Sequence, residues 1–273
     1  MLSVPILFLG LFISSTIHAQ TTAAPGAADA VPHFAVATIK PTDPKAGQTF
    51  QWSSGPDGFS TVGVSLHLLL LQAFNIEEER LLGEPASITS KRYDIDAKVD
   101  SSDIAKLDSL STAQRGQMLA FLLEDRFNLK FHHETRTLPV YALAIAKGGS
   151  KLATSKLSPP GTWENGSWTS SYGPGRVDAQ RSSIEFLIKV LSSSVGHHII
   201  DKTGLSGTYD FKLRWTPDTA SEVRQAPAGW NASDDIAPSL FTALKEQLGL
   251  KLEPQKAPVD VIVIDHIESP SPN

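Results

Sequence analysis

Residues 92–99 read RYDIDAKV, and residues 208–215 read TYDFKLRW. In both stretches apolar and polar residues alternate, which is the pattern of a β-strand with one buried face. Each stretch lies between two segments that have the apolar spacing of an amphipathic helix. The two stretches therefore predict that one structural unit occurs twice in this chain of 273 residues.

The segments around these two strands follow the same order in both halves of the chain. This order predicts an α+β protein made of two tandem repeated units, each a two-layer sandwich with the element order β-α-β-α-β-β. The first unit covers residues 33–149 and the second covers residues 176–268. Pro139 and Pro258 occupy matching positions, and each is predicted to open the last strand of its unit.

Local signals mark where the helices begin and end. Ser111 and Gln114 have the spacing of a capping box. In the second half, Ser239 precedes an apolar-periodic segment and Gly249 follows it, where the glycine after a helix belongs. These positions predict one helix after each of the two alternating strands.

The remaining segments are predicted to connect or flank the two units. Residues 1–19 carry no charge, and their apolar core is shorter than the roughly 20 residues that span a bilayer. They predict a signal peptide, with a retained N-terminal anchor as the alternative. The other such segments are a flexible leader at 20–32, a Ser/Gly/Pro-rich linker at 150–175, a loop insertion at 216–235 and a tail at 269–273.

Composition narrows the class of protein. The chain is 41% hydrophobic, has a net charge of −5 and contains no cysteine. The hydrophobic fraction is large enough for a buried core. The absence of cysteine excludes disulfides, thiol catalysis and cysteine-bound metal sites. No long basic tract is present, so a nucleic acid is not expected as a partner. With the signal peptide removed, we expect an exported protein, periplasmic or extracellular, with no transmembrane segment.

Long stretches of the chain resemble a known family. LLEDRFNLKFHHETRTLPVYALAIAKGGSKL (122–152) and IIDKTGLSGTYDFKLRWTPD (199–218) are similar to the soil-associated exported proteins of acidobacteria-like soil bacteria. That resemblance implies a domain of unknown function. In some relatives the domain extends a membrane metallopeptidase of the antibiotic-sensor type, whose His-Glu-x-x-His motif is absent here. The second unit also resembles the short N-terminal domain of secretins and TonB-dependent transducers, which implies protein contacts in the periplasm.

The stretch HHIIDKTG (197–204) contains the strongest candidates for chemistry. Asp201-Lys-Thr-Gly204 has the letters of the phosphorylated loop of ion pumps, but nothing downstream supplies the other groups of that reaction. We interpret this stretch as a turn, in which Gly204 and Gly207 permit positive φ and Asp201 and Thr203 cap local N–H groups.

Two histidine pairs, 132–133 and 197–198, suggest metal binding. A metal site needs three or four converging ligands, so Glu134, Asp201 or His266 would have to join them. Because neighbouring residues of a strand point to opposite faces, partly exposed strand histidines are the preferred interpretation. Asp94 and Asp96 form a carboxylate pair on one face of a strand, which we interpret as the solvated face rather than a glycosidase site. We predict no catalytic residue, metal or cofactor.

Several aromatic residues are predicted to lie in loops, outside the periodic elements: Trp163, Trp168, Tyr172 and Trp230. They indicate a contact surface or, equally, aromatic packing within the loops. The leading hypothesis is a non-enzymatic binding module of the cell envelope, whose partner is an envelope protein, a peptide or a glycan. The alternative is a hydrolase of an envelope or extracellular polymer with its site between the two units.

Overall fold

The computed structural model describes residues 31–43, 50–156, 168–173, 175–217 and 237–270. Within these ranges, helices pack on three four-stranded sheets, and the predicted α+β class is confirmed. The predicted signal peptide and most of the predicted leader and of the 216–235 insertion lie outside the described residues. No helix of the described ranges is long and apolar enough to cross a membrane.

The first half of the chain contributes the larger set of helices. Its elements are β1 (Phe34–Pro41), β2 (Gln51–Gly55), β3 (Gly58–Ser65), α1 (Leu66–Phe74), a 3₁₀ turn (Glu78–Arg80), β4 (Leu81–Leu82), α2 (Ala86–Thr89), β5 (Arg92–Val99), a second 3₁₀ turn (Ser101–Asp103), α3 (Ile104–Leu107), α4 (Thr112–Phe127) and β6 (Lys130–Ile145).

The second half follows a similar order of strands and helices. Its elements are β7 (Ala153–Thr154), β8 (Trp168–Gly173), β9 (Arg176–Ser182), α5 (Ile184–Val195), β10 (Ile199–Asp201), β11 (Tyr209–Arg214), α6 (Leu240–Ala243), which continues as a π-helical turn (Leu244–Leu248), and β12 (Leu250–His266). The segment 150–175 is predicted as a linker, but its described parts include β7 and β8.

Local capping explains the limits of the longest helix. Ser111 accepts a hydrogen bond from the Gln114 backbone N–H, and the Gln114 side chain accepts one from the Ser111 N–H. This reciprocal pair satisfies two N–H groups that a helix start leaves unpaired, and it confirms the predicted capping box. The helix ends at Phe127 and is capped by Asn128, which has the left-handed φ of 49°.

The outer sheets are built alike, one from each half. The first has the strand order β1-β5-β3-β2, and the second outer sheet has the order β7-β11-β9-β8. The strands RYDIDAKV and TYDFKLRW are β5 and β11, and each lies between two other strands. Their apolar residues face the cores, as the alternation of buried and exposed positions shows.

The middle sheet joins the halves and has the order β10-β6-β12-β4. β6 and β12 pair antiparallel from Leu250 opposite Ile145 to His266 opposite Lys130. The sequence predicts two strands at the end of each half, and this is wrong, because each half ends in one strand of 16 or 17 residues.

Three prolines lie within this ladder without interrupting it. Tyr141 donates its backbone N–H to the His198 carbonyl on β6's other side, so Tyr141 and its partner Pro254 exchange no hydrogen bonds. Pro139 and Pro258 lie an even number of residues from this pair along their strands, so they also belong to pairs that exchange no hydrogen bonds. Their missing N–H groups face away from the partner strand, which is why neither proline ends its strand.

Short strands are exchanged between the halves in this sheet. β4 from the first half pairs parallel with β12, where Leu81 lies opposite Ile262. β10 from the second half pairs parallel with β6, where Ile199 lies opposite Tyr141. Neither half therefore completes the middle sheet by itself. That the halves are tandem copies of one unit stays a prediction.

The two main cores also draw on both halves. The first contains Tyr93 and Phe127, together with Ile262 and Ile264 from β12. The second contains residues of α5 and β11 around Leu187 and Leu213, together with Leu143 from β6. β6 and β12 thus connect both cores, because each strand buries side chains at both of its ends.

Candidate functional site

The histidine pair of the HHIIDKTG stretch binds carboxylates of the other half. His197 Nδ1 lies 2.7 Å from Glu79 Oε2, and His198 Nδ1 lies 3.1 Å from Glu77 Oε2. The His198 backbone N–H also donates to Glu79 Oε1 at 2.7 Å. We call Glu77, Glu79, His197 and His198 the seam cluster, because it joins the first 3₁₀ turn to the segment before β10.

Hydrogen bonds and neighbouring charges hold the pKa of Glu77 in the seam cluster low, against the effect of burial. Burial raises the pKa of Glu77, but the hydrogen bond from His198, one from its own backbone and the charges of His198 and Arg80 together lower it below the ordinary 4.5. Arg80 Nη1 lies 3.4 Å from Glu77, and Arg80 Nε donates to the Asp260 carbonyl at 2.8 Å. The turn is thereby tied to β12.

The other histidine pair bridges β6 and β12. His132 Nδ1 lies 2.9 Å from both carboxylate oxygens of Asp265, and His133 Nδ1 lies 2.9 Å from Asp260 Oδ2. All these side chains are exposed. Each histidine has its own carboxylate, so the pair spans the two strands on opposite faces of the sheet.

The remaining metal-ligand candidates each bind a local partner. Glu134 pairs with Arg136 at 2.7 Å, and His266 pairs with Glu268 at 2.7 Å. In the part of the chain that the structure describes, no group of three or more His, Asp or Glu residues is placed to hold a metal ion.

Asp201 and the glycines after it form a local turn. Asp201 Oδ1 accepts the Thr203 N–H at 2.7 Å, and Thr203 Oγ1 accepts the Leu205 N–H at 3.1 Å. Gly204 has a φ of +66° and Gly207 a φ of +105°. The turn leads from β10 to β11, and its carboxylate is engaged with its own backbone rather than directed at a ligand.

Two of the four aromatic candidates, Trp168 and Tyr172, lie within the described residues. The sequence places Trp168 and Tyr172 in a loop, and this is wrong, because both lie on β8, the last strand of its sheet. The Gly/Ser/Pro-rich composition that indicates a loop is also compatible with a strand at a sheet edge. Trp163 and Trp230 lie outside the described residues.

A cleft lies between the first sheet, including its edge strand β2, and helices α3 and α4. Its volume is about 190 Å³, and its lining includes Phe34, Trp52, Phe59, Leu107, Arg115 and Met118. We call it the aromatic cleft. Trp52 stacks on Phe59 with the ring centroids 5.0 Å apart, and Phe34 meets Phe59 edge-on at 5.2 Å. Both geometries are favoured for aromatic pairs, so the wall of the cleft is preorganised.

β2 is the edge strand next to this cleft. All five of its residues are exposed, and among the described residues no strand pairs with its outer side. The β2–β3 hairpin is fixed to β5, because the Val99 N–H donates to the Asp57 carbonyl at 2.9 Å and Lys98 pairs with the Asp57 carboxylate at 3.0 Å. The Lys98 hydrogen bond holds the pKa of Asp57 below its usual range.

The sequence reasoning does not single out Trp52, Phe34 or Phe59. A usable signal is nevertheless present, since QWSSGPDGF (51–59) places a Pro-Asp turn between glycines and an aromatic residue on either side. That pattern predicts a hairpin. The approach of α3 and α4 to this hairpin depends on distant contacts, which the local pattern does not contain.

The fold and its sites define an α+β protein with an open edge strand beside an aromatic cleft. The model of the family described as "Protein of unknown function (DUF3738)" matches residues 67–267, and the chain belongs to that family. No curated protein and no solved structure matches the chain. The aromatic cleft combines residues from the matched range with Phe34, Trp52 and Phe59, which precede it.

Proposed function

We propose that this chain is an exported, non-enzymatic binding module of the cell envelope. It takes up an extended segment of a partner protein along β2, by β-strand addition, and places an apolar side chain of that segment in the aromatic cleft. The observation that carries this proposal is the exposed edge strand β2, with a preformed cleft beside it.

The backbone of β2 supports strand addition. Gly55 lies opposite Gly58 across a two-residue turn, and such a closing pair exchanges hydrogen bonds. Because these pairs alternate along an antiparallel ladder, the N–H and C=O of Ser54 and Trp52 point to the outer side. β2 has no charged or proline residue. Proteins use such residues to protect edges that are not meant to pair.

The outer side of the long strand β12 shows this kind of protection. Along β12, Pro254 and Pro258 remove N–H groups from the outer side, and Arg80 binds the Asp260 carbonyl. The contrast between this capped edge and the open edge of β2 supports a binding role for β2.

The cleft supplies specificity for a side chain. Trp52 is 39% exposed although it stacks on Phe59, so an incoming apolar side chain would cover surface that water now contacts. Arg115 is held in the lining by its hydrogen bond to the Leu107 carbonyl. An aromatic or branched residue in an otherwise extended peptide fits this surface.

The proposal is tested by selecting binders to the full chain from a random-peptide library and measuring their affinity by fluorescence polarisation. We expect the binders to share an apolar residue within an alternating pattern. Trp52→Ala should weaken them by about 30-fold, the effect of losing a central aromatic anchor. Ser54→Pro should weaken them by about tenfold through the loss of one edge N–H.

The matched control is Phe241→Ala, because Phe241 is 40% exposed and lies on α6, away from β2. It should leave the affinity within about twofold of the wild type. Binders that are equally affected by Phe241→Ala and Trp52→Ala, or by neither, would contradict the proposal.

One observation favours a second candidate, a hydrolase acting between the halves. In the seam cluster, Glu79 binds Nδ1 of His197 and thereby leaves Nε2 directed away, as the carboxylate does in a catalytic triad. His197 would then act as general base on a water molecule. Hydrolysis of an envelope polysaccharide or peptidoglycan that is lost in both His197→Ala and Glu79→Gln would favour this candidate. Equal turnover in these variants and the wild type would remove it.

A further inference from the structure

A second cavity lies on another flank of α4. It has a volume of about 380 Å³, within the range of ligand pockets. Its α4 residues, among them Ala113, Ala120 and Glu124, alternate along the helix with those that line the aromatic cleft. Phe74 and Phe131 close it from α1 and β6. We call it the phenyl pocket, and it lies entirely within the range matched by the family.

Four aromatic side chains, Phe74, Phe121, Phe131 and His133, line the phenyl pocket. Phe74 and Phe131 meet edge-on with their centroids 4.6 Å apart, and Phe131 meets His133 at 6.0 Å and 60°. Phe121 stacks on His33 at 4.2 Å, which fixes the orientation of its ring. Three phenyl rings and an imidazole therefore line one space, and the Phe131 ring is steeply inclined to those of Phe74 and His133.

Glu124 is the charged acid in this lining. It forms no ion pair or hydrogen bond with the described residues, whereas His133 is already bound to Asp260. The pocket lining includes no lysine or arginine. Beside the lining, His33 is stacked on Phe121 and Asp260 is paired with His133. The electrostatic character of the pocket is therefore that of an aromatic wall with one unpaired carboxylate.

We propose that the phenyl pocket binds a small alkylated ammonium compound, with its cation against the rings of Phe74, Phe121 and Phe131 and beside the Glu124 carboxylate. Ring faces attract cations within about 6 Å of their centroids, and a carboxylate adds charge complementarity. The site does not overlap the aromatic cleft, so the proposal is independent of the proposed function.

The lining favours an alkylated cation over a primary ammonium or a guanidinium group. Besides Glu124, the polar side chains of the lining are Asn75, Gln117 and His133, and the other six residues are alanines and phenylalanines. A group with several N–H donors would lose hydrogen bonds to water that the pocket does not replace. A quaternary ammonium group has no N–H, and its methyl groups suit the apolar wall.

The test is isothermal titration of the full chain with choline at pH 7.5 and low salt. 3,3-Dimethylbutan-1-ol has the same shape without the charge and separates cation binding from apolar burial. We expect a millimolar dissociation constant for choline. The neutral analogue, Glu124→Gln and Phe121→Leu should each weaken binding by about tenfold, the effect of removing one ion–ring or charge contact.

Asp125→Asn is the matched control, because Asp125 is the next residue of α4, is exposed and does not line the pocket. It removes the same charge and should change the choline affinity by less than about twofold. Each variant is first shown to unfold at the wild-type urea concentration. Equal affinity for the neutral analogue, equal effects of Glu124→Gln and Asp125→Asn, or no binding of choline would overturn the proposal.

Discussion

Asp94 and Asp210 occupy equivalent places in β5 and β11, and they stabilise equivalent irregularities. Asp94 accepts the Gly63 N–H at 2.8 Å, and Asp210 accepts the Arg181 N–H at 2.8 Å. Each donor has positive φ at a position where its strand's pairing register shifts. These aspartates therefore satisfy backbone groups that a β-bulge leaves unpaired. Asp94, the first residue of the carboxylate pair Asp94 and Asp96, therefore has a structural role in β5.

Two glycines allow the strain of positive φ to be separated from the effect of close packing. Gly204 and Gly249 have φ values of +66° and +65°. A Cβ on Gly204 would have open space, whereas a Cβ on Gly249 would lie 2.1 Å from the Gly149 carbonyl oxygen. Gly204→Ala should lower the free energy of unfolding by about 1–2 kcal/mol through φ alone. Gly249→Ala should cost about 1–3 kcal/mol more, because backbone must move.

Urea denaturation of both variants, followed by circular dichroism, measures this difference. Equal losses in the two variants would show that the contact with Gly149 relaxes without cost. A loss at Gly204 larger than that at Gly249 would show that the HHIIDKTG stretch has a role beyond that of a turn.

At the scale of elements, the first 3₁₀ turn is attached to the other half by a carboxylate with a lowered pKa. Ionised Glu77 is favoured in the folded state, so its contribution to stability is present above about pH 4.5 and is lost as the pH falls through the folded pKa. Glu77→Gln should lower the free energy of unfolding by about 1–2 kcal/mol at pH 7. The variant should lose less stability than the wild type between pH 5 and pH 3.

Urea denaturation at a series of pH values checks this prediction. Glu78→Gln is the control, because Glu78 is its exposed neighbour and forms no ion pair with the described residues. Its pH profile should follow that of the wild type. Parallel profiles for Glu77→Gln and the wild type would mean that Glu77 does not titrate differently in the folded state.

Local elements of this fold are predictable because their causes are local. The alternation in RYDIDAKV and the Ser111–Gln114 capping box require only neighbouring residues, and both predict what the structure shows. Pro139 misleads for the same reason, since its effect depends on which side of β6 its nitrogen faces. That side is decided by β12, more than a hundred residues away.

The candidate sites are less predictable, because they depend on pairing between distant segments. His197 and His198 are identifiable as polar candidates, but their partners Glu79 and Glu77 come from the opposite half. Trp52 belongs to a short strand within a Ser/Gly-rich stretch, and its importance follows from the helices that pack beside it. Sequence periodicity describes one face of an element and carries no information about what covers that face.

At the scale of the whole molecule, the shared middle sheet predicts that the two cores unfold together. Ile264 lies on β12 and is buried in the first core. Ile264→Ala should lower the free energy of unfolding by about 2–4 kcal/mol. Because β12 also pairs along β6 into the second core, the slowest-exchanging amides of α5 should lose the same protection as those of α4.

Native-state hydrogen exchange measures both helices in one experiment. Leu213→Ala, in the second core, is the reciprocal variant and should lower the protection of α4 as much as that of α5. Two independently stable units would instead confine each loss to the core that carries the substitution.

The exchange of short strands has a consequence for the order in which the protein forms during synthesis. β12 is the last strand of the described chain, yet it supplies Ile262 to the first core and Leu250 to the second. Until β12 has left the ribosome, β4 has no partner in the middle sheet and β6 can pair only with the short strand β10. The middle sheet therefore cannot be completed until β12 is made, and a product truncated before residue 250 would leave both cores incomplete and accessible to chaperones and proteases.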